Sequence, residues 1–381
     1  MNNKKINLVI VGGIRTHYIK IHAFQQMLAV LDKNLVSNFN YIYIDAGQHY
    51  DDILSNDFIR ELDIQFQYRI NYKDKKEGYL WGRMLQELSE LYDEINFNWP
   101  IGYILVFGDV ITTAIASLAA IFKHYKIVHI ESGVRVKHSN TVEEKCRIMV
   151  DHLSTIRFTS NIGDLEHLVA EGIGKNSFFS GDIIYDYIKN IGIISHRRRI
   201  IYKVEAQDLE FDLEQNYVLI SIHHAENQNV DILRNVFEIF SKTTYKAFFI
   251  LHPVIRRLIE ENQLKADNIV LADHIDYKSN LLVIQNAKYI LTDSGGIQRE
   301  AFYLNKRCIV CSTLTVWETI LGTGNNMVVE NSVQDILKGI EWAENNESID
   351  CKYNYMFGDG NAVHNILRLI REVDKNEAFF Y

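Results

Sequence analysis

The chain has 381 residues, 47% of them hydrophobic, and a net charge of −9 from 40 basic and 49 acidic side chains. That length exceeds one ordinary core and sets two domains as the expectation, while the apolar content excludes a disordered chain. The acidic balance excludes a general nucleic-acid or membrane-surface binder, since both need a basic face, and an anionic ligand would require a locally positive pocket.

The first segment, "MNNKKINLVIVGGIR", has two lysines before an apolar run. The run is short, lacks a small-residue cleavage site and soon meets Arg15, so it reads as a first buried strand and not as a signal peptide. "YIYIDAG" (41–47), "YILVFGD" (103–109), "IVHIESG" (127–133) and "SFFSGD" (177–182) repeat its habit of ending in glycine plus a polar residue. Helical patterns such as "TTAIASLAAIFKHY" (112–125) separate them. Continuous apolar strands alternating with helices predict a parallel sheet covered on both faces.

After "YIKNIGIISHRRRIIYK", which shows no clear strand, a second series begins: "YVLISIHH" (217–224), "KAFFILHP" (246–253), "IVLAD" (269–273), "YILTDSGG" (289–296) and "RCIVCST" (307–313). Arg197 to Arg199 read as a solvated linker surface. The expected architecture is α/β, with two doubly wound, Rossmann-like domains facing a cleft. Residues 1–190 form the first, 200–362 the second, and 363–381 a terminal helix packing back on the first. In such sheets ligands bind beyond the carboxyl ends of the strands. No apolar segment is long enough to span a membrane.

Four cysteines occur, Cys146, Cys308, Cys311 and Cys351. The CxxC of Cys308 and Cys311 lies in an apolar strand with no second pair, so it reads as core thiols in a reducing cytoplasm and not as a zinc or redox motif. Ligand spacing such as HxxxH or DxD is absent, and no metal or cofactor is expected.

The polar strand ends carry the chemistry. Ser294, Gly295 and Gly296 precede a helix, whose free N–H groups and dipole favour an anion. Glycine allows a phosphate to approach the backbone closely. Glu300, one turn further in, can accept ribose hydroxyls. Arg15 and Lys20, after the first strand, can reach a diphosphate. Further polar candidates at strand ends are Gln48, His49, Arg135, Arg147, His224, Glu226 and Asn227, with Tyr277 as another substrate-binding candidate. Asp109, Glu131, Glu143 and His223 are candidate general acids and bases. Taken alone, the Gly-Gly turn reads equally well as a tight strand–helix connection.

These motifs resemble, in order, those of the non-hydrolysing UDP-N-acetylglucosamine 2-epimerase family, from the first strand to about residue 330. "GGIRTHYIK" resembles G-x-R-P-x-x-I-K, "GQHYDD" the G-Q-H block, and "FGDVITTAIASLAA" G-D-T-x-T-x-x-A-S-L-A-A. "HIESGVR" resembles H-V-E-A-G-L-R, "EEKCR" E-E-x-N-R, and "LTDSGGIQREA" L-T-D-S-G-G-I-Q-E-E-A. The resemblance implies the two-domain fold of B-type glycosyltransferases, with UDP held mainly by the second domain. Ser294, Gly295 and Gly296 would hold phosphates, Glu300 the ribose, and Arg15 the nucleotide. Asp109, Glu131 and Glu143 would be catalytic carboxylates and His223 the essential histidine. It also implies an isomerase working on precursors of surface polysaccharide. A UDP-sugar substrate and a second copy of the chain, making a homodimer, are the expected partners.

The chain departs from the family at Thr16, where the motif has proline, at His224, where H-R-x-E-N has arginine, and at Val316, where an acidic residue stands. "AGQHYDD" and "HxAEN" look closer to a branch that acts on modified UDP-sugars. His17 and Tyr18 are expected to shape the sugar wall. The loss of a fixed cation at His224 favours a 6-deoxy-L-hexosamine over a uronic acid. UDP-N-acetylglucosamine itself is the alternative substrate, and a glycosyltransferase or an inactive nucleotide-sugar binder are the alternative classes.

Overall fold

The computed structural model describes residues 5–47, 52–70, 77–136, 140–190, 197–205, 207–312, 317–345 and 355–377. The chain divides into two compact units, Met1–Ile191 with Asn354–Tyr381, and Gly192–Tyr353.

In the first unit the apolar runs become β1 (Ile6–Gly12), β2 (Phe39–Asp45), β3 (Tyr68–Arg69), β4 (Tyr103–Phe107), β5 (Lys126–Ile130), β6 (Ile156–Thr159) and β7 (Ser177–Phe179). They form a parallel sheet in the order β3-β2-β1-β4-β5-β6-β7. All five residues of β4 are buried, because helices cover both faces and a two-faced interior leaves no position for alternation. On one face, Met84, Leu88 and Tyr92 of the helix Glu77–Asn98 and Ala116, Ala119 and Ala120 of the helix Ile111–Phe122 meet Val9, Val11, Ile104 and Val106. Each large aliphatic side chain buried there contributes about 1.5–3 kcal/mol.

The second unit begins with a hairpin, β8 (Arg199–Val204) and β9 (Gln207–Asp212), paired antiparallel. A parallel sheet follows, made of β10 (Tyr217–Ile222), β11 (Lys246–Leu251), β12 (Ile269–Ala272), β13 (Ile290–Thr292), β14 (Cys308–Cys311) and β15 (Asn326–Val329), in the order β12-β11-β10-β13-β14-β15. Cys308 and Cys311 are buried free thiols within β14. In each sheet the chain runs outward on one side of its first strand and then restarts on the other. This reversal falls at β1/β4 in one unit and β10/β13 in the other. Crevices beyond the C-terminal ends of strands at such reversals are where doubly wound sheets bind ligands.

The structure corrects two sequence expectations. The arginine-rich stretch is not only linker. Arg199 starts β8, and Ile200 and Tyr202 point inward with Phe211, whose ring lies 4.4 Å from that of Phe248. The alternation was short and its outer face charged, so it read as a solvated surface. Residues 355–362 belong to the first unit, not the second: the Phe357 carbonyl accepts the Asp182 N–H at 2.9 Å. The terminal helix Ala362–Glu377 packs on the helices Arg15–Val30 and Ile183–Asn190 and buries Ile366, Leu367 and Ile370. Its Val363 N–H donates to Asp186 at 2.8 Å. Among the described residues no helix is long and apolar enough to cross a membrane.

Candidate active site

The first unit gathers charged side chains at its β1/β4 reversal. Lys20, buried on the second turn of the helix after β1, places Nζ 2.6 Å from a Glu131 carboxylate oxygen. Gly108, just past β4, is close by: a Cβ there would lie 3.4 Å from Lys20 Nζ. Glu131 follows β5 with φ +66°, the left-handed region that only a few per cent of non-glycine residues adopt. Such strain persists where the surroundings over-determine it, and it clusters at functional positions. The buried Arg147 guanidinium joins Asp109 to Glu144.

Several buried contacts hold the Glu131 loop. The His129 ring faces Asp151 through Nδ1 and the Gly108 carbonyl through Nε2, each at 2.7 Å. Asp151 also accepts the Gly133 N–H at 3.1 Å and the Arg135 guanidinium at 2.7 Å. Burial pushes the Asp151 carboxyl up, but the bonds and charges of His129 and Arg135 outweigh it and hold it below the usual carboxylate range. Gly133 has φ +81°, and a Cβ there would sit 2.2 Å from the Asp164 carbonyl oxygen, so no other residue fits the turn.

Asp164 was not singled out by the sequence. Burial raises its carboxyl to about 8, with the charge of Glu131 adding to the shift. At neutral pH it therefore holds a proton in the field of Glu131. Nothing in "SNIGDLEHL" signals this, since an acidic residue in the first helical turn is ordinary.

Other first-unit candidates take different places. Glu143 is exposed in the first turn of the helix Val142–Leu153, while its neighbour Glu144 is buried. Arg147 follows Glu144 by three positions, so one helix face carries both. Arg135 is committed to Asp151 and, through two bonds, to Glu171. Arg15 is exposed, with its guanidinium stacked 4.3 Å over the Phe58 ring. His17 and Tyr18 are buried and form no exposed wall; the Tyr18 hydroxyl donates to Asp45 at 2.7 Å. Gln48, His49 and Val316 lie outside the described residues.

In the second unit Asp293, fully buried at the end of β13, organises the reversal. Its carboxylate accepts the His223 N–H at 3.0 Å, the His224 N–H at 2.9 Å and the Asn227 amide at 2.8 Å. Its Oδ1 lies 3.2 Å from His223 Nδ1. Burial pushes this carboxyl up as well, and the His223 and Asn227 bonds hold it below its ordinary range. Asn227 also donates to the Cys311 carbonyl at 2.8 Å, which ties the loop after β10 to β14. Glu226 is exposed and accepts the Ser312 hydroxyl at 2.9 Å.

Ser294 caps the helix Gly295–Tyr303 by accepting the Ile297 N–H. Gly296 is exposed, and a Cβ there would meet nothing nearer than Ser294 Oγ at 3.8 Å. The helix presents the free N–H groups of its first turn at this end, the arrangement that receives an anion. The Gly295 carbonyl accepts the Trp317 indole N–H at 2.9 Å. Deeper in, the buried Glu300 carboxylate accepts the Tyr277 hydroxyl at 3.0 Å and the Asn280 amide at 3.4 Å. The structure thus brings Glu300 and Tyr277 together, and His223 and His224 around Asp293. Spacing along the chain gave no sign of a metal-ligating set, yet His223, His224 and Asp293 each offer a ligand atom within 4.8 Å of the others.

Comparison with known proteins gives the family. The family model described as UDP-N-acetylglucosamine 2-epimerase matches residues 33–371. A UDP-N-acetylglucosamine 2-epimerase homolog of Methanococcus maripaludis is 31% identical over 97% of this chain and 100% of its own length. A UDP-2,3-diacetamido-2,3-dideoxy-D-glucuronate 2-epimerase of Pseudomonas aeruginosa is 26% identical over 85% of this chain and 88% of its own. The crystal structure of the Methanocaldococcus jannaschii UDP-GlcNAc 2-epimerase, in complex with UDP-GlcNAc and UDP, superposes with a TM-score of 0.78 at 26% identity, over 96% of this chain and 100% of that one. The chain belongs to the UDP-N-acetylglucosamine 2-epimerase family, a family of isomerases.

Proposed function

We propose that the protein interconverts the C2 epimers of a UDP-N-acetylhexosamine by eliminating UDP and adding it back. The observation that carries this reading is the set of carboxylates at the β1/β4 reversal, with the strained Glu131 ion-paired to Lys20. The C2 hydrogen of an amino sugar has no adjacent carbonyl, so direct deprotonation is very hard. Breaking the C1–O bond to UDP builds positive charge on the ring and makes that proton labile. A carboxylate takes it, leaving a 2-acetamidoglycal and free UDP. Delivery of a proton to the other face of C2 and attack of the UDP oxygen on C1 give the epimer. Atoms balance without an oxidant, and catalysis needs a held diphosphate and separate acid and base groups.

In this reading Ser294, Gly295 and Gly296 receive the diphosphate and Glu300 with Tyr277 the ribose. Glu131 and Asp109 act on the C2 proton, and His223 assists departure of UDP. Asp164, protonated beside Glu131, adds a proton source. The test is incubation with candidate UDP-sugars in heavy water. Epimerisation carries deuterium into C2 without an acceptor, whereas a glycosyltransferase or an inactive binder gives none.

For the sugar, we infer a UDP-N-acetyl-6-deoxy-L-hexosamine, interconverted between rhamno and quinovo configurations. The support is His224, which offers no permanent cation to a uronic carboxylate. The buried positions of His17 and Tyr18 withdraw the second argument for this substrate. The P. aeruginosa relative that acts on a diacetamido uronate shows that modified sugars occur among the relatives. Comparing kcat/KM for the 6-deoxy sugar, UDP-N-acetylglucosamine and the diacetamido uronate decides it; a preference for either of the last two rejects the assignment and leaves the epimerase reading intact. A homodimer is proposed on the same resemblance and is read by light scattering.

A further inference from the structure

We propose that His223, His224 and Asp293 form a binding site for a zinc-class divalent transition-metal ion. The three residues present two imidazoles and one carboxylate, the nitrogen-rich donor set such ions prefer and magnesium or calcium does not. One ligand atom from each lies within 4.8 Å of the others. Zinc bonds of about 2.0–2.1 Å in a tetrahedron place neighbouring ligand atoms about 3.3 Å apart. His223 Nδ1 and Asp293 Oδ1 already stand 3.2 Å apart. The two imidazoles are neighbours, with ring centroids 4.9 Å apart and planes at 83°, and His224 is exposed, so its ring has room to turn toward the ion.

The support behind the ligands is also in place. The His223 and His224 N–H groups and the Asn227 amide all bond the Asp293 carboxylate, which fixes the main chain of both histidines to the third ligand. Hydrogen bonds of this kind to a ligating carboxylate orient it and raise metal affinity. The His223 side chain is 39% exposed, so an ion can reach its ring from solvent. His224 stands where the resembling motif has arginine, so the second imidazole is a feature of this chain. A filled site would engage the His223 ring nitrogen and block proton transfer there, a consequence that rests on the epimerase reading, whereas binding itself does not.

The full-length protein, stripped with EDTA and dialysed, is titrated with zinc chloride by calorimetry and by competition with a zinc-binding dye. One saturable ion per chain is expected, with no response to magnesium. H224R and H224Q are each expected to weaken zinc binding by about tenfold or more. Absence of saturable binding, or variants that bind zinc as tightly as the wild type, overturns the site. The titration needs no turnover, so failure of the epimerase reading leaves its result interpretable. Turnover that continues unslowed at saturating zinc overturns the blocking role.

Discussion

Lys20 Nζ and the Glu131 carboxylate meet at 2.6 Å although 111 residues separate them in the chain. The contact pins the helix after β1 to the end of β5, and it holds the carboxylate of a residue whose backbone is strained. Both groups are mostly buried, so screening by solvent is weak and the pair orients the carboxylate firmly. Glu131→Gln keeps the shape and removes the basicity. Turnover is expected to fall by roughly 10²-fold or more, the usual scale for losing a general acid or base, with UDP binding retained. Deuterium exchange at C2 measures it; near-normal exchange removes Glu131 from the mechanism.

A Cβ at Gly296 would meet only Ser294 Oγ, at 3.8 Å, so Gly296→Val adds its bulk at the helix end with little cost to the fold. UDP affinity is expected to drop by about tenfold or more, on the order of 1.4 kcal/mol. Calorimetry with UDP reads it, beside a thermal melt to show that the fold persists. Undiminished affinity rejects this helix end as the diphosphate site.

Asp164 has a folded-state carboxyl raised to about 8, against 3.8 for the free side chain. Between those values the folded chain binds more protons than the unfolded one, so this group's stabilising contribution is lost as pH rises toward and through 8. Asp164→Asn removes the titration. Between pH 5 and 8 the wild type should therefore lose more stability than the variant. Denaturant midpoints at the two pH values give the comparison, and parallel losses would contradict a proton held on Asp164.

Asp186 accepts the Val363 N–H at the start of the terminal helix. Asp186→Ala leaves that buried donor unsatisfied, a loss of about 1–3 kcal/mol. Faster hydrogen exchange along residues 363–373 should accompany a lower denaturant midpoint. An unchanged midpoint would mean that the apolar face of Ile366, Leu367 and Ile370 alone fastens the helix.

Much of the fold and part of the site were legible in the sequence. Runs such as "YILVF" and "YVLISI" state their own burial, because a strand covered on both faces is built mostly from apolar residues. Gly-Gly at the start of a helix and polar residues, often with glycine, after the strands mark the ends where function gathers, since backbone geometry there is a local property. Which carboxylate turns inward was not local. Glu143 and Glu144 are equivalent in composition, and only the face that Arg147 occupies separates them. Asp164 became a proton holder through burial beside Glu131, which no pattern within its own helix encodes. The β8–β9 hairpin was hidden because its outer face is charged and its inner face becomes apolar surface only once Phe248 covers it. His223, His224 and Asp293 met because the strand order sets β13 beside β10, so residues 70 apart share one end of the sheet. Periodicity reports how a segment faces its surroundings; which distant segment supplies those surroundings is decided by sheet order, and that order exists only in the folded chain.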